Sequence, residues 1–326
     1  MIILKISDAV FNGKGSNYSI HSNYHFMLYN IQITELSFFH NNQPINLNNV
    51  NVVFFDFNED LLQYRYGWDM NLINKYPKIN DMINAFKAIH LFVKINHPNI
   101  KIYHDPFKCF NLGNKITVYE QINDVKSNIF KLPKWNNIKN ISDVMKISYY
   151  PCIIKTACDS HASSDTLCKN KNELINAYSK FKNKENILCS EFINCHINEL
   201  KCYCCVRLIV FNDKIIDYFF RPSYKWNIHT GDQAPDKILE ANEFFKKYYE
   251  KNEEEMNIYT KHIHSLYGNG VYSYDCILNN DKLYICEIGI KCWDDTMIGF
   301  LQKHNIKMNK LHEDLNKYKN FVVNNL

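Results

Sequence analysis

Gly270-Val-Tyr-Ser-Tyr-Asp275-Cys-Ile-Leu278 and Leu283-Tyr-Ile-Cys-Glu287-Ile-Gly289 are two largely apolar runs, each carrying one carboxylate, joined by Asn279-Asn-Asp-Lys282. Asn and Asp tolerate turn conformations, so this spacing predicts a β-hairpin. A three-residue loop, or a four-residue one with a bulge, sets Asp275 across from Glu287, because directly opposed residues share a sheet face. Tyr274 and Cys276 then point to the other face. Two carboxylates on a half-buried sheet call for a cation, and an oxygen-only pair favours Mg²⁺ over zinc. Taken singly, either acid also fits a solvated strand residue.

Upstream of this hairpin the chain carries an ordered series of polar residues. It runs Asp105-Pro106, Gly113-Asn-Lys115 at a helix start, Tyr150-Pro-Cys-Ile-Ile-Lys155, Ser190-Glu191-Phe192-Ile193, Val206-Arg207-Leu-Ile-Val, Arg221, and Trp226-Asn227-Ile-His229-Thr-Gly231. Lys155 ends an apolar strand, where a long cation serves a buried partner or an anionic ligand. Lys115 stands at a helix start, where the helix dipole disfavours positive charge and a nearby phosphate would relieve the mismatch. Arg207 and Arg221 begin and end a hairpin, Val206–Phe211 with Ile215–Phe220, turning at Asn212-Asp-Lys214. That loop makes them diagonal neighbours on one face, and two guanidinium groups there suit a bound phosphate or acyl phosphate.

The order and spacing of this series resemble the ATP-grasp superfamily, within it the ligases that add glutamate to ribosomal protein S6 and glutathione synthetase. The likeness covers about residues 100 to 300. It implies an α/β (α+β) ATP-grasp fold with an N-terminal α/β pre-ATP-grasp domain, and ATP and Mg²⁺ as cofactors. Lys115 and Lys155 would contact phosphate, Glu191, Phe192 and Ile193 would line the adenine, and Glu199 would take a ribose-binding position. Arg207, Arg221, Asn227 and His229 would act at the transferred phosphate, and Asp275 and Glu287 would hold metal. The loop Ala157–Thr166 stands where related enzymes carry a Gly-rich flap; here it has no glycine, so Ser160 and His161 would donate through side chains or turn amides. Gly289 departs from the pattern too, since related ligases place there an Asn whose amide oxygen ligates magnesium.

The implied reaction is ATP-dependent joining of a carboxylate to an amine through an acyl phosphate, with no covalent enzyme nucleophile. Substrates would be small carboxylates and amines or a peptide or protein acceptor. The stretch Tyr64-Arg-Tyr66-Gly-Trp68-Asp69 is expected to help form the acceptor pocket or to be an aromatic packing loop. A small-molecule kinase and a non-catalytic nucleotide-binding protein stay open as alternatives, because fold analogy does not choose among them.

At 326 residues, with 46% hydrophobic and 14% aromatic content, the chain exceeds the common size of one domain. The division expected is 1–112 as the N-terminal domain and 113–300 as the ATP-grasp region, with a lid near 150–192 and a C-terminal subdomain near 193–300. A covering helix follows at 301–326. The formal net charge of +4, from 38 basic and 34 acidic residues without a long basic run, argues against a nucleic-acid binder. No signal peptide or membrane span is read, and the 12 cysteines fall mainly in apolar strands as reduced thiols, so a cytoplasmic location is expected. The cluster Cys195-His196 with Cys202, Cys204 and Cys205 lacks paired Cys-x-x-Cys knuckles, and alternation sends Cys204 and Cys205 to opposite faces. Residues 50–57 read as a buried strand, 80–95 as a helix, 100–106 as a strand and turn, 172–181 as a helix, and 236–251 and 254–267 as two more.

Overall fold

The computed structural model describes residues 3–7, 39–40, 43–44, 46–56, 79–110, 112–158, 165–181, 186–228, 232–290, 295–308, 317, 320–321 and 324–325. Of 3–7, 39–40, 43–44, 56, 79–85 and 295–298, only the backbone is described. Ser160, His161, His229, the stretch Tyr64–Asp69 and half of the expected tail helix lie outside the described residues.

Strand β1 (Ile3–Ser7), the short antiparallel pair β2 (Phe39–His40) and β3 (Gln43–Pro44), β4 (Val52–Asp56), helix α1 (Ile79–Asn96) and β5 (Lys101–Tyr103) come first. β4 lies between β1 and β5 in a parallel sheet, so both its faces are covered and Val52 to Phe55 are all buried. Phe86, Ile89 and Val93, spaced by three and four, form the buried stripe of α1, and the Phe86 ring meets that of Phe55 edge-on at 5.9 Å. The short helix α2 (Pro106–Cys109) and α3 (Lys115–Ile122) follow.

A second sheet forms from β7 (Trp135–Ile138), β8 (Cys152–Thr156), β9 (Thr166–Cys168) and β10 (Ile187–Glu191), in the order β7-β10-β8-β9 and antiparallel throughout; β6 (Phe130–Lys131) precedes it in the chain. Helices α4 (Ile141–Lys146) and α5 (Lys171–Tyr178) bring Val144, Leu174 and Ala177 onto Ile154, Ile187 and Cys189 as one apolar cluster. The strand β7 and the helix α4 were not anticipated between Lys115 and Pro151.

The largest sheet joins β11 (His196–Ile197), β12 (Cys202–Phe211), β14 (Val271–Asn279), β15 (Lys282–Ile290) and β6 in that order, with β13 (Lys214–Ser223) pairing β12. Helix α6 (Ile238–Tyr267) packs on it and α7 (Asp295–Lys303) follows β15. α6 is one 30-residue helix where two were expected. The charged stretch Asn252 to Glu255 contains no Gly or Pro and continues the helix, carried by a buried stripe through Ala241, Phe245, Tyr248, Met256, Tyr259 and Ile263. Gly268, at φ 80, caps its C-terminus, with its N–H on the His264 carbonyl at 2.7 Å. Asn242 of α6 bonds both the N–H and the C=O of Phe220, closing the outer edge of β13. Among the described residues no helix is long and apolar enough to cross a membrane.

His104 fastens the parallel sheet to the large one. Fully buried at φ 56, it donates from Nδ1 to the Phe55 carbonyl at 2.9 Å and accepts at Nε2 from the Val271 N–H at 2.8 Å. A Cβ on the neighbouring Gly270 would stand 2.5 Å from the His104 ring, so this approach requires glycine. Burial pushes the His104 pKa down from 6.5 to about 4, against the two backbone bonds that raise it. The imidazole is therefore neutral when folded and takes up a proton on unfolding between those values. Its contribution is complete above pH 6.5, falls as pH drops, and totals about 3 kcal/mol. Urea unfolding at pH 7.5 and 4.5 should show wild type losing about 2.5 kcal/mol more than His104→Asn over this interval; equal pH losses would show that His104 keeps one protonation state.

Candidate functional site

Two tight turns with compensating bulges set the site. β14 and β15 close with the two-residue turn Asn280-Asp281, both at positive φ, rather than the longer loop expected. From the turn, Cys276 pairs with Ile285; a bulge then shifts the register, and Asp275 pairs with Glu287. β12 and β13 likewise turn at Asn212-Asp213, one residue shorter than the expected Asn212–Lys214, and a bulge beside Ile209 and Val210 restores the parity. Arg207 accordingly opposes Phe219 and Arg221 opposes Cys205, a diagonal relation, while Arg207 faces Asp275 on the other side. Arg207, Asp275 and Glu287 therefore form one row across three strands.

Charges interlock along this row. Arg207 grips Asp275 with two bonds, Nε to Oδ1 and Nη2 to Oδ2, both 2.7 Å, and Arg221 Nη2 lies 3.3 Å from Oδ2. Lys115 Nζ lies 3.2 Å from Glu287 Oε2. Asn114 caps α3 by accepting from the Ile116 and Thr117 amides, and the Lys115 N–H bonds the Ala157 carbonyl at 3.0 Å, tying the helix start to the end of β8. Burial alone would lower the Lys115 pKa; Glu287, by charge and hydrogen bond, and Asp165, by charge, outweigh it and the net shift is upward. Lys155 Nζ lies 3.8 Å from Asp165 Oδ2, both largely buried.

These groups converge. The Cys286 thiol, pushed up to about 12 by burial, also feels the charges of Lys155, Asp275 and Asp165, and burial raises the Cys205 thiol beside Arg221 and Arg207. Neither is a thiolate near neutral pH. Four cations, Lys115, Lys155, Arg207 and Arg221, thus meet three carboxylates, Asp165, Asp275 and Glu287, where the second sheet approaches the large one.

No motif in the sequence marks Asp165. Its signal was register: Ile154 pairs Thr166, so the next residues along β8 and into the loop are Lys155 and Asp165. Glu191 ends β10 and Phe192 follows it, but their N–H groups already donate to the Lys134 and Pro151 carbonyls, at 2.8 and 3.0 Å. These two N–H groups are therefore not available to a ligand in this arrangement. The Phe192 ring meets Trp226 edge-on at 5.6 Å, which brings the neighbourhood of Asn227 to this strand end. Ile193 is half-buried beside them. Glu199 lies on the exposed turn between β11 and β12. Gly289 lies opposite Ser273 on the Glu287 face.

A scan of protein-family models finds no match, and no curated protein sequence matches the chain. Comparison with solved structures finds the ATP-grasp ligase PsnB complexed with a phosphomimetic variant of minimal precursor, Mg and ADP, at 12% identity and TM-score 0.56, covering 99% of this chain and 96% of that one. PsnB complexed with minimal precursor matches at 12% identity and TM-score 0.54, covering 99% of both chains. The chain has the ATP-grasp fold. Within this fold, the row of Arg207, Asp275 and Glu287 lies on the large sheet, and Lys155 comes from the four-stranded one.

Proposed function

We propose that this ATP-grasp protein is an ATP-dependent ligase that joins a carboxylate to an amine through an acyl phosphate. The observation that carries the reading is the row Arg207–Asp275–Glu287, closed at one end by Lys115 and faced by Lys155 and Asp165. Four cations against three carboxylates leave a net positive charge in this cluster, which suits an anionic polyphosphate.

The donor chemistry fits magnesium. Among the described residues no three His, Cys, Asp or Glu side chains gather as a metal cage, and Mg²⁺ in nucleotide sites takes one or two carboxylates with phosphate oxygens and water. Asp275 and Glu287 would hold it, and when bound it would offset charge on the transferred phosphoryl group. Lys115 and Lys155 bind phosphate oxygens in this reading, and Arg207 and Arg221 orient the γ-phosphoryl group; His229 and Asn227 stay proposed neighbours of the same phosphate. The substrate carboxylate oxygen forms a bond to the γ-phosphorus as the bond to ADP breaks. The amine nitrogen then attacks the acyl carbon, inorganic phosphate leaves, and the nitrogen gives its proton to solvent. Glu191 to Ile193 serve the adenine, with Phe192 as an apolar cover.

PsnB has been solved with a precursor peptide and AMPPNP, which supports a peptide or protein acceptor here beside small carboxylates and amines. The described cysteines are free thiols, in keeping with a reducing cytoplasmic location. Incubation with Mg²⁺, γ-labelled ATP, mixed carboxylates and hydroxylamine should yield ADP, labelled phosphate and a hydroxamate. A labelled phosphoester without hydroxamate would make the protein a kinase and overturn the proposal.

A further inference from the structure

Resting on the magnesium–nucleotide reading above, we infer that Tyr119 is a positioning residue that holds the β15 bulge in place and so keeps Glu287 on the metal face. Counting from the turn at Asn280-Asp281, pairs run Asn279 with Lys282, Leu278 with Leu283, Ile277 with Tyr284 and Cys276 with Ile285. Continued without interruption, the next pair would be Asp275 with Cys286. Glu287 would then oppose Tyr274, whose side chain is fully buried, and the two carboxylates would stand on opposite faces. The bulge prevents this by leaving Cys286 as the extra residue, so that Asp275 meets Glu287.

A bulge leaves backbone groups outside the regular ladder, and here they have a specific partner. The Tyr119 hydroxyl donates to the Ile285 carbonyl at 3.1 Å and the Cys286 carbonyl at 3.0 Å, the two residues at the shift. The donor is constrained on every side. Tyr119 is buried, its ring meets Trp135 edge-on at 5.7 Å, and burial holds its pKa well above the ordinary value, so the hydroxyl keeps its proton. It also lies one turn along α3 from Lys115, on the same side of the helix. One helix thus fixes the bulge through Tyr119 and contacts the carboxylate after it through Lys115, at 3.2 Å. No motif in the sequence marks this tyrosine; its partners are 166 and 167 residues away.

The test measures AMPPNP binding by calorimetry across a Mg²⁺ titration, and also without metal. Tyr119→Phe keeps the ring and removes the donor. It is expected to raise the Mg²⁺ concentration for half-maximal tightening about tenfold while leaving metal-free AMPPNP affinity within about twofold. Tyr267→Phe, which removes another buried hydroxyl bonded to Gln121, should change neither. Deleting Cys286 supplies a second arm, because plain antiparallel register then puts Glu287 opposite Asp275 with no bulge to hold. In that background Tyr119→Phe should add no further loss of metal dependence. Wild-type metal dependence in Tyr119→Phe, or an equal loss in the background lacking Cys286, would overturn the role of Tyr119 while leaving the nucleotide reading intact. Wild-type protein whose AMPPNP binding ignores Mg²⁺ would overturn both.

Discussion

Asp275→Ala is expected to destabilise the protein by about 3–5 kcal/mol, the range for removing one partner of a buried ion pair, and to remove metal-dependent nucleotide binding. Both carboxylate oxygens of Asp275 take Arg207 at 2.7 Å, and Arg221 approaches at 3.3 Å. The Arg207 and Arg221 side chains are only 11% and 6% exposed. Alanine would leave two desolvated guanidinium groups facing each other across the diagonal of β12 and β13. Their mutual repulsion and lost hydrogen bonds act in the same direction. Urea denaturation of the two proteins measures this directly, and a loss below about 1 kcal/mol would indicate a surface-type pair.

Lys115→Met separates binding from folding. The lysine is nearly buried while its partner Glu287 is 41% exposed, so without the lysine Glu287 regains water and methionine fills the stem's volume. Stability should change by about 1 kcal/mol or less. Nucleotide affinity should fall about 10- to 100-fold, the equivalent of one charge-assisted hydrogen bond of 1.5–3 kcal/mol. Unchanged AMPPNP affinity in a folded variant would remove Lys115 from the phosphate site.

The row of charges was legible because side-chain parity along a strand has period two. The longer loops expected at Asn279–Lys282 and Asn212–Lys214 were wrong in length, yet each real turn is followed by a bulge that restores the same facing pairs. What stayed hidden depends on distant contacts. β7 is a strand because Trp135 to Ile138 pair with β10 some fifty residues on, although the capping box of Asn140 and Asp143 marked α4 locally. Asp165 needed the β8–β9 register, and Tyr119 needed the fold itself. The break expected inside α6 does not occur, because the apolar stripe on its buried side runs on past the charged stretch Asn252 to Glu255.

The central claim is that Asp275 and Glu287 share one metal–nucleotide site. The most direct measurement is a calorimetric Mg²⁺ titration of AMPPNP binding to wild type and Glu287→Gln, a substitution at a half-exposed carboxylate that leaves the Arg207–Asp275 pair intact. The account predicts that Mg²⁺ tightens AMPPNP binding to wild type by about tenfold or more and that Glu287→Gln loses most of this gain while remaining folded. Equal magnesium dependence in the two proteins would contradict it, and the paired carboxylates would then be structural.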